Sequence, residues 1–325
     1  MSSRITFVTA AGALALGLLC GPTVSALRQD VTLNYRWTKG ETVRYRIVQQ
    51  STTTISGIPG LGDMAIDQST TQVMATVAEE VTQDRTTLRQ VIESVKMEMS
   101  SPMFAMSFDS ANPDTGANPM NGMLKSVVTP MIGASFTLVM APTGEVQKVE
   151  GLSKVAEKMF QSVPQDPAMA GILDGLKANL SDEAMRGQFA QTFVQFPNRP
   201  IKPGETWTTQ VSTTNPMLGG LITSLTSTLK AVDGDANSRV AKIATGLTIK
   251  QDATKPGGAN PMGLTMQMGD GTGDGEQVFE AGSGRLRSSV IRSTLPMTMS
   301  GTGPDGTPLN MKTSVKATTT VELVQ

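Results

Sequence analysis

From Leu33 onward the chain alternates apolar and polar positions. Leu33, Tyr35 and Trp37 alternate with Asn34 and Arg36; after the polar turn Lys39-Gly40-Glu41, Val43, Tyr45 and Ile47 alternate with Arg44 and Arg46. A period of two on both sides of a short turn predicts an antiparallel hairpin with one buried and one wet face. The pattern repeats along the chain. Residues 73–81 and 86–99 flank Gln83-Asp84, 136–140 and 146–149 flank Pro142-Thr143-Gly144, and 221–232 and 239–249 flank Asp233-Gly234-Asp235. Residues 277–280 and 285–299 flank Gly282-Ser283-Gly284, and 311–323 read as a last strand. Threonine is frequent in these runs, and its branched side chain suits the solvent face of a strand. Roughly ten to twelve strands joined by short turns predict a mainly β (α+β) fold: a large, strongly curved antiparallel sheet or half-barrel.

One segment has a different period. Leu152, Val155, Ala156 and Met159 fall at helical spacing, as do Ile172, Leu173, Leu176 and Leu180. Ser181-Asp182-Glu183 then reads as an N-cap with acids in the first turn, ahead of Met185, Phe189 and Phe193. Residues 151–193 are therefore expected as two or three short helices on the concave face of the sheet. Stretches 56–62, 110–122 and 252–263, rich in Gly, Pro and Asn, read as linkers, and Asn-Pro-Met at Asn118, Asn215 and Asn260 as loop punctuation. Lys39-Gly40-Glu41-Thr42 is echoed by Pro203-Gly204-Glu205-Thr206. The echo allows two related half-sheets, 27–150 and 196–325, joined by the helices, within one domain spanning 27–325. Convergent turns account for it equally well.

Composition narrows the chemistry. Lys+Arg number 27 against Asp+Glu 28, a net charge of −1, which argues against a nucleic-acid footprint or a polybasic membrane surface. There is no histidine, which removes Ser-His-Asp and Cys-His catalysis and histidine metal sites. Arg4, the apolar run 5–19 and Val24-Ser25-Ala26 form the three regions of a secretory signal peptide, residues 1–26, cleaved after Ala26. That run is shorter than the ~20 residues a membrane span requires, so no transmembrane span is expected after cleavage. The single cysteine, Cys20, falls in this leader, and the bulky Leu19 before it disfavours lipidation. The expected location is extracytoplasmic, periplasmic or secreted.

Three stretches carry a family resemblance: Trp37-Thr-Lys-Gly-Glu41, Pro197-Asn-Arg-Pro-Ile-Lys-Pro-Gly-Glu-Thr-Trp207, and Gly273-Asp-Gly-Glu-Gln-Val-Phe-Glu-Ala-Gly-Ser-Gly-Arg-Leu286. They resemble an uncharacterised family of secreted bacterial proteins, a domain of unknown function, over nearly the whole mature chain. The resemblance implies no activity. The expected layout is similar to the open half-barrel of periplasmic lipoprotein carriers, a likeness of architecture that does not carry function.

Methionine is the compositional anomaly, at 21 residues. Met97/Met99, Met266/Met268 and Met297/Met299 are spaced by two, so each pair shares one strand face. Three readings are open: core filling, a pliable apolar ligand cavity, or a soft-metal Cu(I) site. The candidate cavity lining is Met97, Met99, Met266, Met268, Met297 and Met299 from strands, facing Met159, Leu173 and Leu176 from helices. Asp270, Thr272 and Asp274 match the first half of a calcium loop, but Ala281 stands where the bidentate glutamate belongs. Asp233-Gly-Asp235-Ala-Asn237 shares only that beginning. Ser227-Thr-Leu-Lys230 spells a Ser-x-x-Lys motif in a strand pattern, where its ends face opposite sides. Adjacent acids (Glu79-Glu80, Asp182-Glu183) form no catalytic pair. The expectation is a non-catalytic protein without cofactor or resident metal, holding an apolar small molecule or lipid between sheet and helices. The alternative is a cell-envelope interaction module whose partners are envelope proteins, met through Thr-rich strands and sheet edges.

Overall fold

The computed structural model describes residues 30–57, 62–113, 119–161, 180–215, 218–235, 238–255, 265–302 and 308–324. Residues 1–26, expected as a leader and containing Cys20, lie outside them, as do Leu173 and Leu176. Thirteen strands run in chain order: β1 (Thr42–Ser56), β2 (Met64–Val81), β3 (Thr86–Ser100), β4 (Ala105–Asp109), β5 (Ser135–Met140), β6 (Val146–Glu150), β7 (Thr206–Asn215), β8 (Gly219–Asp233), β9 (Val240–Asp252), β10 (Thr265–Met268), β11 (Gly271–Glu280), β12 (Arg285–Thr302) and β13 (Pro308–Val324). The helices are α1 (Pro119–Val128), α2 (Leu152–Gln161) and α3 (Asp182–Thr192).

All strands join one antiparallel sheet in the order β6-β5-β3-β2-β1-β13-β12-β11-β9-β8-β7, with β4 also on β3 and β10 also on β12. The sheet is not closed into a barrel: β6 and β7 are its edges. Helix α3 packs on both edges and so spans the gap between them. Gly187 permits that approach, because a Cβ there would overlap Thr213 Cγ2 of β7. Ser181 caps α3 by accepting from the Ala184 amide at 3.3 Å. Asp182 does more than serve the dipole of its own helix. Its carboxylate accepts from the Leu152 and Ser153 amides at 2.9 and 3.2 Å, which caps α2 and ties the two helices together.

The hairpins expected from alternation are present, with three differences. The segment 31–37 is not a strand. Val31, Leu33, Tyr35 and Trp37 are buried, but the backbone is held by a single bridge, Val31 with Ile201, and by the Tyr35 and Arg36 amides donating to the Pro142 and Gly284 carbonyls. An extended chain with one buried side has the period of a strand without needing a ladder. Second, the linker stretch 110–122 contains the start of α1, where Pro119 opens the helix with its φ already suited to it. Third, β4 adds a short strand at the end of β3.

The core fills one end of the sheet. Phe279, Leu33, Leu88, Leu138, Leu229, Ile243 and Leu286 are fully buried there, with Ala190 of α3 and Phe196 against them. Along β12, Leu286 and Ser289 are buried, whereas residues 290–302 are half-buried or exposed. This leaves an open end beyond the core, where strands of up to 18 residues extend freely.

The two echoing turns match in detail. Gly40 and Gly204 adopt φ of 84° and 90°. Their amides donate to Ala78 O and Leu229 O, and the Ala78 and Leu229 amides donate back to Glu41 O and Glu205 O. Each glutamate side chain also accepts from the amide three residues earlier, Thr38 or Lys202. Bulges follow at equivalent places, between Ala78 and Glu80 and between Leu229 and Ala231. The order β6-β5-β3-β2-β1 thus runs parallel to β12-β11-β9-β8-β7. In that correspondence β13 lies beside β12 where the helical segment lies beside β6.

Candidate functional site

The ladder register decides which side chains meet. Tyr45 and Val321 point into the core, so odd-numbered residues of β1 and β13 share the core face. On that face at the open end, Met266 pairs with Met299 and Met299 with Met311; one row up, Met268 pairs with Met297. Five thioethers from β10, β12 and β13 thus occupy two adjacent rows, all half-buried. The second row continues through Thr313 and Ile55 to Met64, and the row above it runs Leu295, Val315, Thr53, Ile66. This is an apolar strip about 19 Å wide across five strands at ~4.8 Å spacing. The sequence displayed the i, i+2 pairs; Met311 joins them through the β12–β13 hairpin, and Met64 only through long-range register.

The other predicted residues fall elsewhere. Met97 packs with Ile92, Val95, Phe108 and Val128 in a small second core beneath α1. Met99 pairs with Met106 on the same strands. Three strands, β2, β1 and β13, separate β3 from β12. Met159 is buried on α2, which packs on β5, α1 and α3. The described members of the predicted lining therefore form separate groups, and the methionine rows of β10, β12 and β13 are the largest.

A hollow of another kind lies nearby. A trough of about 1200 Å³ opens at the same end of the sheet. Its walls include Glu98, Ser69, Gln50, Thr318, Arg292 and Asp274, which are consecutive partners in one row crossing six strands. The neighbouring row contributes Asp67, Thr52, Lys316 and Thr294. Both rows have the parity opposite to Tyr45; the row between them, Ser51, Gln68, Met99, Ala317, Ser293 and Gly273, has the core parity and lines the trough as well. The alternation marked these positions as polar and solvent-facing; nothing in the pattern marked them as concave. Within the trough Thr52 donates to Asp67 at 2.6 Å and Arg292 faces Asp274 at 3.4 Å.

The calcium-loop match falls on a strand: Thr272 and Asp274 belong to β11, where alternate residues share one face of an extended backbone instead of wrapping an ion in a loop. Asp274 faces Arg292, and Asp270 faces Lys250 at 3.7 Å. Among the described residues no group of three or more His, Cys, Asp or Glu is placed to hold a metal ion. Asn237 of the second loop lies outside the described residues. Ser227 is buried and bonded to Thr245 at 3.0 Å, while Lys230 is exposed at the bulge, so the Ser-x-x-Lys pair faces opposite ways.

One buried ion pair stands out near the core. Arg285, with 8% of its side chain exposed, bonds to Glu41 and lies 4.1 Å over the Trp37 ring. Burial pushes the Glu41 carboxyl up, but hydrogen bonds from Arg285 and the Thr38 amide, together with the guanidinium charge, outweigh it and hold the carboxyl below its usual range. The pair clamps the first turn of β1 to the start of β12, a structural role.

Fold and site together define an open antiparallel sheet protein with a helix in its gap and no recognisable catalytic constellation among the described residues. The chain belongs to a family of unknown function, DUF6263, which matches residues 83–284. No curated protein matches it. Among solved structures it is similar to lipovitellin, studied for its lipid–protein interactions (12% identity, TM-score 0.43, 89% of this chain), of which it spans only 26%. It is also similar to the COG4313 outer membrane channel of Pseudomonas putida F1 (9% identity, TM-score 0.25, 89% of this chain and 97% of that one). At TM-scores below 0.5 neither lends this chain a function. Among the described residues no helix is long and apolar enough to cross a membrane.

Proposed function

We propose that the chain is an extracytoplasmic, non-catalytic binding protein that seats an apolar molecule, such as a lipid acyl chain, on the methionine-bearing face at the open end of the sheet. The observation that carries this reading is the register: it sets Met266, Met268, Met297, Met299, Met311 and Met64 beside Leu295, Val315 and Ile55 on one face. These side chains sit beyond the packed core and are half-buried rather than sealed. Thioether side chains are unbranched and polarizable, which suits them to ligands of variable shape. The absence of histidine supports the non-catalytic part, and the leader at residues 1–26 supports the location.

The test uses protein purified with its own leader from a bacterial host. Native mass spectrometry and organic extraction should yield an apolar molecule at about one per chain. Dansyl-labelled undecanoic acid should compete with it, and Met297→Gln with Met299→Gln should abolish both. An apo mass, nothing extracted and no probe uptake would overturn the reading.

A second reading has its own observation. The trough at the open end favours an interaction module that grips a polar segment of an envelope protein through hydroxyls and mixed charge. Photo-crosslinking from position 294 in the living host distinguishes it. A discrete protein adduct, lost with Arg292→Ala and Lys316→Ala while the fatty-acid probe still binds, would favour this second reading.

A further inference from the structure

We infer that the methionine rows of β10 and β12 form a binding site for a single soft monovalent cation, Cu(I) or its analogue Ag(I), held by thioethers alone. Met266 and Met299 face each other across the two strands, and so do Met268 and Met297. Direct cross-strand neighbours stand about 5 Å apart at Cβ. Residues i and i+2 on a strand are about 6.8 Å apart. The four side chains thus stand at the corners of a rectangle whose centre is roughly 4 Å from each Cβ. A methionine side chain has three rotatable bonds and swings its sulfur inward over that distance without backbone movement. Met311, beside Met299 on β13, supplies a further sulfur at the rim. Gly57 lies against the Met311 backbone and brings no side chain to that corner.

The surroundings select the metal. Thioether sulfur is a soft, uncharged donor that favours Cu(I) over hard divalent ions. The adjoining positions on this face, Leu295, Thr313, Val315 and Ile55, carry no ionisable group, so nothing there offers a carboxylate to calcium or magnesium. Lys312, the nearest cation in sequence, lies between Met311 and Thr313 and faces the other side of the sheet. The chain has no histidine, and its one cysteine, Cys20, is in the leader, so methionine is the soft ligand of the mature protein. The metal enters and leaves as the reduced monocation and no redox step is involved. This site does not rest on the apolar-ligand reading, although it uses some of the same side chains.

The test takes the full chain with Cys20→Ser, so that every soft donor is a thioether. Anaerobic titration with Cu(I) against bathocuproine disulfonate, repeated with Ag(I), should show one metal per chain, and X-ray absorption should show a sulfur-only first shell. Met297→Leu with Met299→Leu conserves volume and apolar area, so the fold, read by far-UV circular dichroism and the urea midpoint, should survive. Metal affinity should fall at least about a hundredfold, since even outer-shell changes cost 10- to 100-fold. Met97→Leu with Met99→Leu should leave it unchanged. The inference is overturned if the full chain takes up no metal, if the shell contains oxygen or nitrogen, or if affinity survives in the Met297/Met299 double variant. Where that variant loses its folded-state spectrum, Met266→Leu with Met268→Leu repeats the titration, and unchanged affinity there overturns the inference.

Discussion

The closure of the sheet by α3 turns on one glycine. Gly187 is buried in the middle of α3, and an added Cβ would overlap Thr213 Cγ2 while lying 3.1 Å from Thr213 Cβ. Carbon atoms at rest stand about 3.5–4.0 Å apart, so even the second contact is short by roughly 0.4–0.9 Å. In an exposed helix, glycine to alanine is stabilising by about 1 kcal/mol. Forcing a methyl group into a packed seam costs typically 1–3 kcal/mol. The second effect wins, so Gly187→Ala should destabilise the protein by about 1 kcal/mol net of the helix gain. Thr213→Ser removes Cγ2 and keeps the hydroxyl. The double variant should therefore recover most of the loss, with a coupling energy of about 1–2 kcal/mol from the four stabilities. Urea denaturation of the four proteins, read by tryptophan fluorescence, measures the cycle. A Gly187→Ala variant more stable than its parent, with zero coupling to Thr213, would refute the close approach of α3 to β7.

Three further outcomes follow from the same contacts. Glu41→Gln should cost about 2 kcal/mol, below the usual range for breaking a buried pair because Glu41 is one-third exposed. Since the folded carboxyl is held below its usual range, the parent's advantage should be complete above the ordinary glutamate value of about 4.3 and vanish as pH falls through the folded value, as read by thermal melts across acid pH. Gly144→Ala should cost about 3 kcal/mol by chemical denaturation, because Gly144 sits at φ 91° with Tyr35 Cε2 2.6 Å from the added Cβ. Thr245→Val breaks the buried chain in which Ser227 and Thr245 stand 3.0 Å apart and Thr245 donates to Gln277 Oε1 at 2.9 Å. It should cost about 1–3 kcal/mol, with an unchanged spectrum of the folded state.

Much of the sheet was legible in the chain because its hairpins are local. The β2–β3, β5–β6, β8–β9 and β11–β12 pairs are joined by turns whose Gly and Asp residues punctuate the alternation. What was not legible is non-local. The β1–β13 ladder joins residues 44–56 to 312–324, and no local pattern encodes that register. Yet this ladder sets Ile55, and through it Met64, in the row of Thr313 and Met297. The extended segment at Tyr35 shared the period of a strand because burial on one side, not pairing, sets that period. The helix at Pro119 was masked by the same Asn-Pro chemistry that elsewhere marks loops. The trough was invisible for a geometric reason: alternation reports which face a residue is on, never which way that face bends.

The belt of strands is fastened by two unlike joins. On one side β1 and β12 are connected through β13 by unbroken rows of peptide hydrogen bonds. On the other, among the described residues, no ladder joins β6 to β7; α3 packs on both, and the Phe196 amide donates to Thr143 O of the β5–β6 turn. Rows of peptide hydrogen bonds resist separation together, whereas a helix seated by side-chain contacts resists it contact by contact. A load that widens the belt is therefore borne first at the α3 seam, where Gly187 meets Thr213.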